Sequence, residues 1–361
     1  MGGDDSMLTM STDLCDLLKI KYPIIQAGMA GGATTPALVA SVSNAGGLGT
    51  LGAAYMKPED IKMAIAEIRK LTDQPFAVNL FCVEHSIEPK QNEKEAVKQE
   101  LLNIGRDLSI SESDIQLNAA DYFEEQFNAL IEEKVPVIST AFGTLPEDKV
   151  ILAKDRGMTI TVMVTTAEEA ILAEKSGAEA VVAQGSDAGG HRSTFDLSRH
   201  KNGADIGTFS LVPQIKDQVT IPVIAAGGVN DGRSLVAALA LGASGVQIGT
   251  RFLSSDEAGI HQVYKEKLID SNEEDTVITK VFSGRPARGI LNQFIKGFKA
   301  EPLAYPYQNS ATKSIRNAAS KNDNPEYMSL WAGQNLRPIV KTQPASDIIN
   351  EIIVQAEYIL K

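Results

Sequence analysis

Short runs of consecutive apolar residues, rich in β-branched side chains, recur along the chain. They lie at 22–26 (YPIIQ), 48–51 (LGTL), 76–80 (FAVNL), 135–140 (VPVIST), 159–164 (TITVMV), 180–184 (AVVAQ), 223–226 (VIAA) and 245–248 (GVQI). Runs of this length and continuity suit parallel strands buried on both faces. Helical segments fall in most of the gaps, at 36–44, 58–71, 146–156, 167–176 and 231–241. Several open on Thr-Pro, Lys-Pro or Leu-Pro, and others at Thr166 or Asp231, which are N-terminal signals. Eight strands alternating with helices is the count of an α/β (β/α)8 TIM barrel. A doubly wound parallel sheet is the competing architecture.

Two stretches break the rhythm. Residues 84–118 are polar and charge-rich between the third and fourth strands, an excursion at the barrel rim. From residue 259 to about 338 the strand signal fades into helical and loop-like sequence. The final 346–360 (SDIINEIIVQAEYIL) again shows helical apolar spacing. The expected organisation is a barrel over 14–258 and a smaller helical lid domain over 259–334, inserted after the eighth strand. A C-terminal segment, 335–361, then returns a helix to the barrel. The total of 361 residues accommodates a barrel of roughly 250 plus these additions.

Composition narrows the partners. With 34 Lys and Arg against 46 Asp and Glu, the net charge is −12. No basic excess exists to neutralise a nucleic acid or an anionic membrane surface, so neither is expected as a partner. One small anion can still be held by backbone N–H groups. Two cysteines, Cys15 and Cys82, are too few for a disulfide framework or a four-cysteine zinc site. No His, Cys, Asp and Glu grouping has metal-ligand spacing, so no metal is expected. No run reaches the length of a membrane span. The acidic opening, 1–10, lacks the basic and apolar regions of a signal peptide, with Met7 or Met10 a plausible start, and a cytoplasmic protein is expected.

In a barrel of this kind the active site forms where strands end and the following loops begin. The first strand ends in Gln26-Ala27-Gly28-Met29, small residues that let a flat ligand approach the backbone. The third ends in Asn79, an amide suited to a heteroaromatic edge. The sixth runs into Gln184-Gly185-Ser186-Asp187-Ala188-Gly189-Gly190-His191. Glycines after the seventh strand (Gly227, Gly228) and the eighth (Gln247, Gly249, then Thr250 and a short helix) present convergent N–H groups that suit a phosphate. The alternative is that these glycines merely permit tight turns. His191 follows a Gly-Gly pair and has the side chain whose unperturbed pKa suits proton transfer near neutrality. The alternative for it is a solvated loop histidine. His85, His200 and His261 sit in polar surroundings and read as surface residues, and Cys82 as a small buried apolar group.

These motifs, in combination and order, resemble the nitronate monooxygenases. The matching stretches are YPIIQAGMAGG (22–32), SNAGGLGTLG (43–52), PFAVNLF (75–81), AQGSDAGGH (183–191), IPVIAAGGVNDGR (221–233) and GASGVQIGTRFL (242–253). Fainter traces are AYPYQNSAT (304–312) and WAGQNLRPI (331–339). The resemblance covers residue 14 to the C-terminus, least so in 84–118. It implies FMN across the barrel mouth, with its phosphate held by Gly227, Gly228, Gln247, Gly249 and Thr250. It further implies Ala27 to Met29 along the ring, Asn79 and Gln184 at its polar edges, and Gly189 and Gly190 making room. His191 would be the catalytic base facing the substrate.

The implied reaction is oxidation of alkyl nitronates, or of nitroalkanes deprotonated by His191, by O2 through a flavin semiquinone to carbonyl compounds and nitrite. An FMN-dependent enoyl-[acyl-carrier-protein] reductase shares the barrel, the loops and the AGGH motif, with NAD(P)H as donor. An NAD(P)H:quinone reductase and a non-catalytic phosphate-ligand barrel are the remaining alternatives. Tyr305, Tyr307, Lys313 and Arg288 are candidates for the substrate side, although a structural role is the default for each. A homodimer is the default assembly.

Overall fold

The computed structural model describes residues 10–83, 88–118 and 121–361. His85 and residues 1–9, including Met7, lie outside that set. Eight parallel strands form the barrel: β1 (Ile24–Gln26), β2 (Gly49–Gly52), β3 (Phe76–Phe81), β4 (Val137–Ala141), β5 (Thr159–Val164), β6 (Ala180–Gln184), β8 (Val223–Ala226) and β9 (Gly245–Ile248). The short strand β7 (Gly190–His191) belongs to a second sheet. Neighbours pair in register around the ring, for example Ile25 opposite Gln247 and Asn79 opposite Ser139. The bridge between Ile25 and Leu48 closes β1 onto the strand entering β2. Closure excludes the doubly wound sheet, which would leave two edges.

Alternation along each strand builds two apolar layers. Val181 and Ala183 face the surrounding helices, whereas Ala180 and Val182 join the inner cluster with Ile25, Ala77, Val137 and Ile224. The short helix Asp13–Leu18 contributes Leu14, Cys15 and Leu18 to the inner cluster. Cys15 is therefore a packing residue. The helices at Pro36–Asn44, Pro58–Leu71, Glu147–Asp155, Ala167–Lys175 and Gly232–Ala240 match the expected spans to within a residue or so. Thr35, Thr166 and Asp231 accept backbone N–H bonds at three of their starts. The last helix, Ala345–Leu360, buries Ile348, Ile349, Ile352 and Ile353 against Gly232–Ala240 and Pro36–Asn44. A Cβ at Gly232 would lie 2.4 Å from the Ala356 nitrogen, so that close approach requires glycine.

The lid departs from an all-helical expectation. It holds helices Gln262–Asp270, Tyr307–Ala311 and Lys313–Lys321, but also a hairpin of β10 (Thr276–Thr279) and β11 (Ala287–Ile290). β11 pairs with β7, placing Ala287 opposite His191 and Arg288 opposite Gly190. Strands of two to four residues, one carrying a buried arginine, have no periodic signature of their own, and β7 lies nearly a hundred residues from its partner β11. The 84–118 excursion is likewise more than a rim loop. Its helix Gln91–Ile104 sends Val97 and Leu101 into one apolar cluster with Phe282, Phe294, Phe298 and Ile315 of the lid. Among the described residues no helix is long and apolar enough to cross a membrane.

Candidate active site

A cavity of about 430 Å³ opens between the C-terminal ends of the barrel strands and the lid, within the usual range for cofactor and substrate sites. Ala27, Gly28, Met29 and Asn79 line one side, and Gln184, Gly189, Gly190 and His191 another. Gly227, Gly228, Gln247, Gly249 and Thr250 complete it. Thus the strand-end rule gathers residues from five separated motifs around one space.

Gln26 is the exception and does not line the cavity. Its side chain is fully buried, accepts from Thr50 N at 3.0 Å and donates to the Ala27 carbonyl. That amide is committed to joining β1 and β2. Gln184 lines the space, yet both ends of its amide serve the neighbouring segment: it donates to His191 O at 2.9 Å and accepts from Ser193 N at 2.8 Å. It therefore positions the histidine strand. Asn79 donates to the Ser139 carbonyl and hydroxyl at 3.3 and 3.2 Å.

The glycine loops form a cradle that side chains would fill. Gly227 has φ +115°, and a Cβ there would sit 2.6 Å from Thr208 Oγ1. Gly228 has φ +70°. The lid reaches into this region: Gly333 N donates to Thr250 Oγ1 at 3.0 Å, and Asn335 donates to Gly228 O at 2.6 Å. Arg251, the one cation of that motif, is committed to Glu351 at 3.2 Å. An anion in the cradle would accordingly be held by backbone N–H groups and hydroxyls.

His191 stands at the other end inside an aromatic cage. Its ring centroid lies 5.8 Å from Phe142, 6.2 Å from Phe81, 6.5 Å from Tyr305 and 5.4 Å from Trp331. Nε2 is 2.8 Å from Ser283 Oγ, a lid residue. Enclosure pushes the imidazole pKa down to about 3, helped by the positive charge of Arg285 and Arg316. It is neutral throughout the physiological range, because both effects penalise the imidazolium. This is a held strand residue, with its backbone paired to β11, and the solvated-loop alternative fails.

The cage residues Phe81, Phe142 and Trp331, together with Ser283 and Arg316, carried no assigned role in the sequence reading. Phe81 and Trp331 lie within the quoted motifs; for Phe142 and Arg316 no local signal exists. None of the four substrate-side candidates lines the cavity; Tyr305 comes nearest, through its ring contact with His191. Tyr307 packs near the Lys94 ammonium, Lys313 is exposed, and Arg288 donates to Ser186 O and Thr276 Oγ1. His261 is also more than a surface residue: it lines the cavity, caps Gln262–Asp270 through Nδ1 and meets Asp323 at 3.2 Å. Burial pushes the Cys82 thiol up to about 12, so it is no nucleophile at neutral pH.

A TIM barrel with a glycine cradle and a caged histidine across one cavity at its strand ends places the chain among barrel proteins with a ligand site at that face. Comparison with known proteins narrows the class. The sequence model of the family described as Nitronate monooxygenase matches residues 11–355, and the chain belongs to that family. A protein of Staphylococcus saprophyticus named probable nitronate monooxygenase is 44% identical over 98% of this chain and 99% of its own. A Staphylococcus aureus relative of the same name is 42% identical over 96% and 98%. Among solved structures, nitroalkane oxidase from Streptomyces ansochromogenes superimposes with a TM-score of 0.89 at 35% identity, covering 96% of this chain and 98% of that one. FabK from Thermotoga maritima follows a similar path, with a TM-score of 0.77 at 33% identity and 98% coverage of both.

Proposed function

We propose that this protein uses FMN and O2 to oxidise alkyl nitronates, and nitroalkanes once deprotonated, to carbonyl compounds and nitrite. Family membership supports the reaction class, and the glycine cradle supports a phosphate-bearing cofactor. Gly227, Gly228, Gly249 and Thr250 would hold the phosphate, Ala27 to Met29 would run beside the ring, and Asn79 would meet its polar edge. When bound, FMN supplies the electron transfer between substrate and dioxygen.

The observation that carries the reading is His191. Ser283 Oγ lies 3.2 Å from Arg285 O and 2.8 Å from His191 Nε2. If its single proton goes to the carbonyl, the hydroxyl oxygen receives Nε2–H, and the Nδ1 lone pair becomes the base. An imidazole so averse to charge is a weak base alone. A nitronate forming beside it provides the countercharge that makes the imidazolium tolerable. The aromatic cage excludes water from that proton transfer.

Likeness to FabK is the observation that favours the second reading, an NAD(P)H-using enoyl-[acyl-carrier-protein] reductase. Anaerobic mixing of the FMN-loaded protein separates the two. Rapid bleaching of the flavin by an alkyl nitronate, with none by NADPH, is the expected result. Bleaching by NADPH without response to nitronate overturns the proposal. His191→Asn should keep the flavin and lose neutral-nitroalkane turnover far more than nitronate turnover; undiminished nitroalkane activity removes His191 from the base role.

A further inference from the structure

Two guanidinium groups oppose charge on His191, and each has a buried Nε with no hydrogen-bond partner among the described residues; only Arg285 feels a carboxylate, and only Arg316 lines the cavity. Arg285 lies 4.0 Å from the centroid of the Phe142 ring, donates to the Thr194 carbonyl and feels the negative charge of Glu169. Arg316, on the helix Lys313–Lys321, lines the cavity beside Tyr55 and Asn309. Its Nη2 donates to Asn309 O at 2.6 Å and to Asn309 Oδ1 at 3.0 Å. Its Nε is buried with no hydrogen-bond partner among the described residues. The one group whose charge favours the Arg316 cation is Tyr55, and no carboxylate contributes.

An enclosed guanidinium without a counter-ion is costly, and this chain has 46 acidic residues from which one could have been supplied. A cation left open toward a cavity is instead matched to an anionic ligand, and the planar fork of arginine fits two oxygens on one atom. Tyr55 strengthens that case. It lines the same cavity, and its hydroxyl has a proton to give to an oxyanion.

We propose that Arg316 is the positioning residue for the negative oxygens of the substrate, holding a planar oxyanion between its guanidinium, Tyr55 and His191. Naming that oxyanion as the nitronate rests on the function proposed above; the anion subsite itself does not. Arg316 thereby favours the anionic form of the substrate over the neutral nitroalkane and draws the α-proton equilibrium toward His191. It also raises the energy of the imidazolium until the anion is present, alongside Arg285. The other polar groups facing the imidazole are Ser283 from the lid and Tyr305 from the cage.

Nitrate, a planar oxyanion that is not turned over, is the probe, read by its perturbation of the flavin absorbance in the FMN-loaded protein. Wild type should bind it, Arg316→Met at least about tenfold more weakly, and Arg316→Lys in between, because lysine keeps the charge and loses the fork. In Arg316→Met the acid limb of nitroalkane kcat/KM should move to higher pH, since one of the charges opposing the imidazolium is gone. That shift reports only that the Arg316 charge reaches His191; nitrate affinity is the readout a purely structural arginine would not move. Nitrate affinity within about twofold of wild type in a folded, flavin-loaded Arg316→Met overturns the proposal, as does a wild type that fails to bind nitrate. Should the Met variant not fold, an unchanged affinity in Arg316→Lys has the same force. Arginine-dependent nitrate binding without nitronate turnover keeps the anion subsite and removes the nitronate reading.

Discussion

At the scale of single residues, the proposed chemistry depends on which nitrogen of His191 holds the proton, and a Ser283 hydroxyl donating to Arg285 O would place it on Nε2. Ser283→Ala removes the acceptor for Nε2–H and frees the ring to change tautomer. General base catalysis is worth roughly 10²–10⁴, and a mis-set tautomer forfeits part of it. We expect nitroalkane kcat to fall at least about tenfold in Ser283→Ala, with nitronate KM little changed, in steady-state kinetics on both substrates. The wild-type pH profile follows from the same ring. A base whose conjugate acid has a pKa of about 3 remains neutral as pH falls through the neutral range, so the acid limb appears only as pH approaches that value. His191 was legible as a candidate because it follows a strand and a Gly-Gly pair. Ser283 was not: 92 residues separate it from the imidazole it contacts.

Individual elements show why the barrel could be read so closely. Each strand is a run of apolar residues whose alternate members pack inward or outward, and the ends of β1, β6, β8 and β9 are marked by glycine or amide side chains. The glycine cradle proposed to hold the phosphate is therefore a local property of two βα turns. Gly228 has φ +70°, and a Cβ there would come within 3.1 Å of the Asp187 carboxylate, itself fixed by Thr208. A left-handed conformation costs a non-glycine residue roughly 1–2 kcal/mol, relieved only by moving the loop. Gly228→Ala should weaken FMN retention by about tenfold while leaving the thermal midpoint of the flavin-free protein within a few degrees. Equal FMN affinity, measured by flavin fluorescence on dilution, would remove this loop from the phosphate site. By contrast, β7, β10 and β11 are too short to carry a period. They exist because their backbones pair with one another.

For the whole molecule, the lid is assembled from two places in the chain. Residues 88–118 and 259–335 meet over the barrel mouth, and side chains such as Leu101 and Phe294 from the two segments share one apolar cluster. Leu101 is fully buried, and Leu101→Ala should cost roughly 2–5 kcal/mol in the lid. The expected signature is a raised substrate KM and faster proteolysis of the 88–118 segment, with the barrel's circular dichroism retained. An unchanged KM and proteolysis pattern would show that the excursion does not support the substrate cover.

The sequence alone determined the barrel, its strand ends, the glycine cradle and His191, because these depend on short-range periodicity and on residues adjacent in the chain. It also carried the family motifs. Tertiary structure decided what surrounds the imidazole: the Phe142 and Trp331 rings, the Ser283 hydroxyl and the Arg316 charge. These come from strand ends and lid segments that share no local pattern, and only packing of the lid onto the barrel brings them together. The same packing reassigned Gln26 to the join between β1 and β2, since an amide's role depends on which backbone it meets.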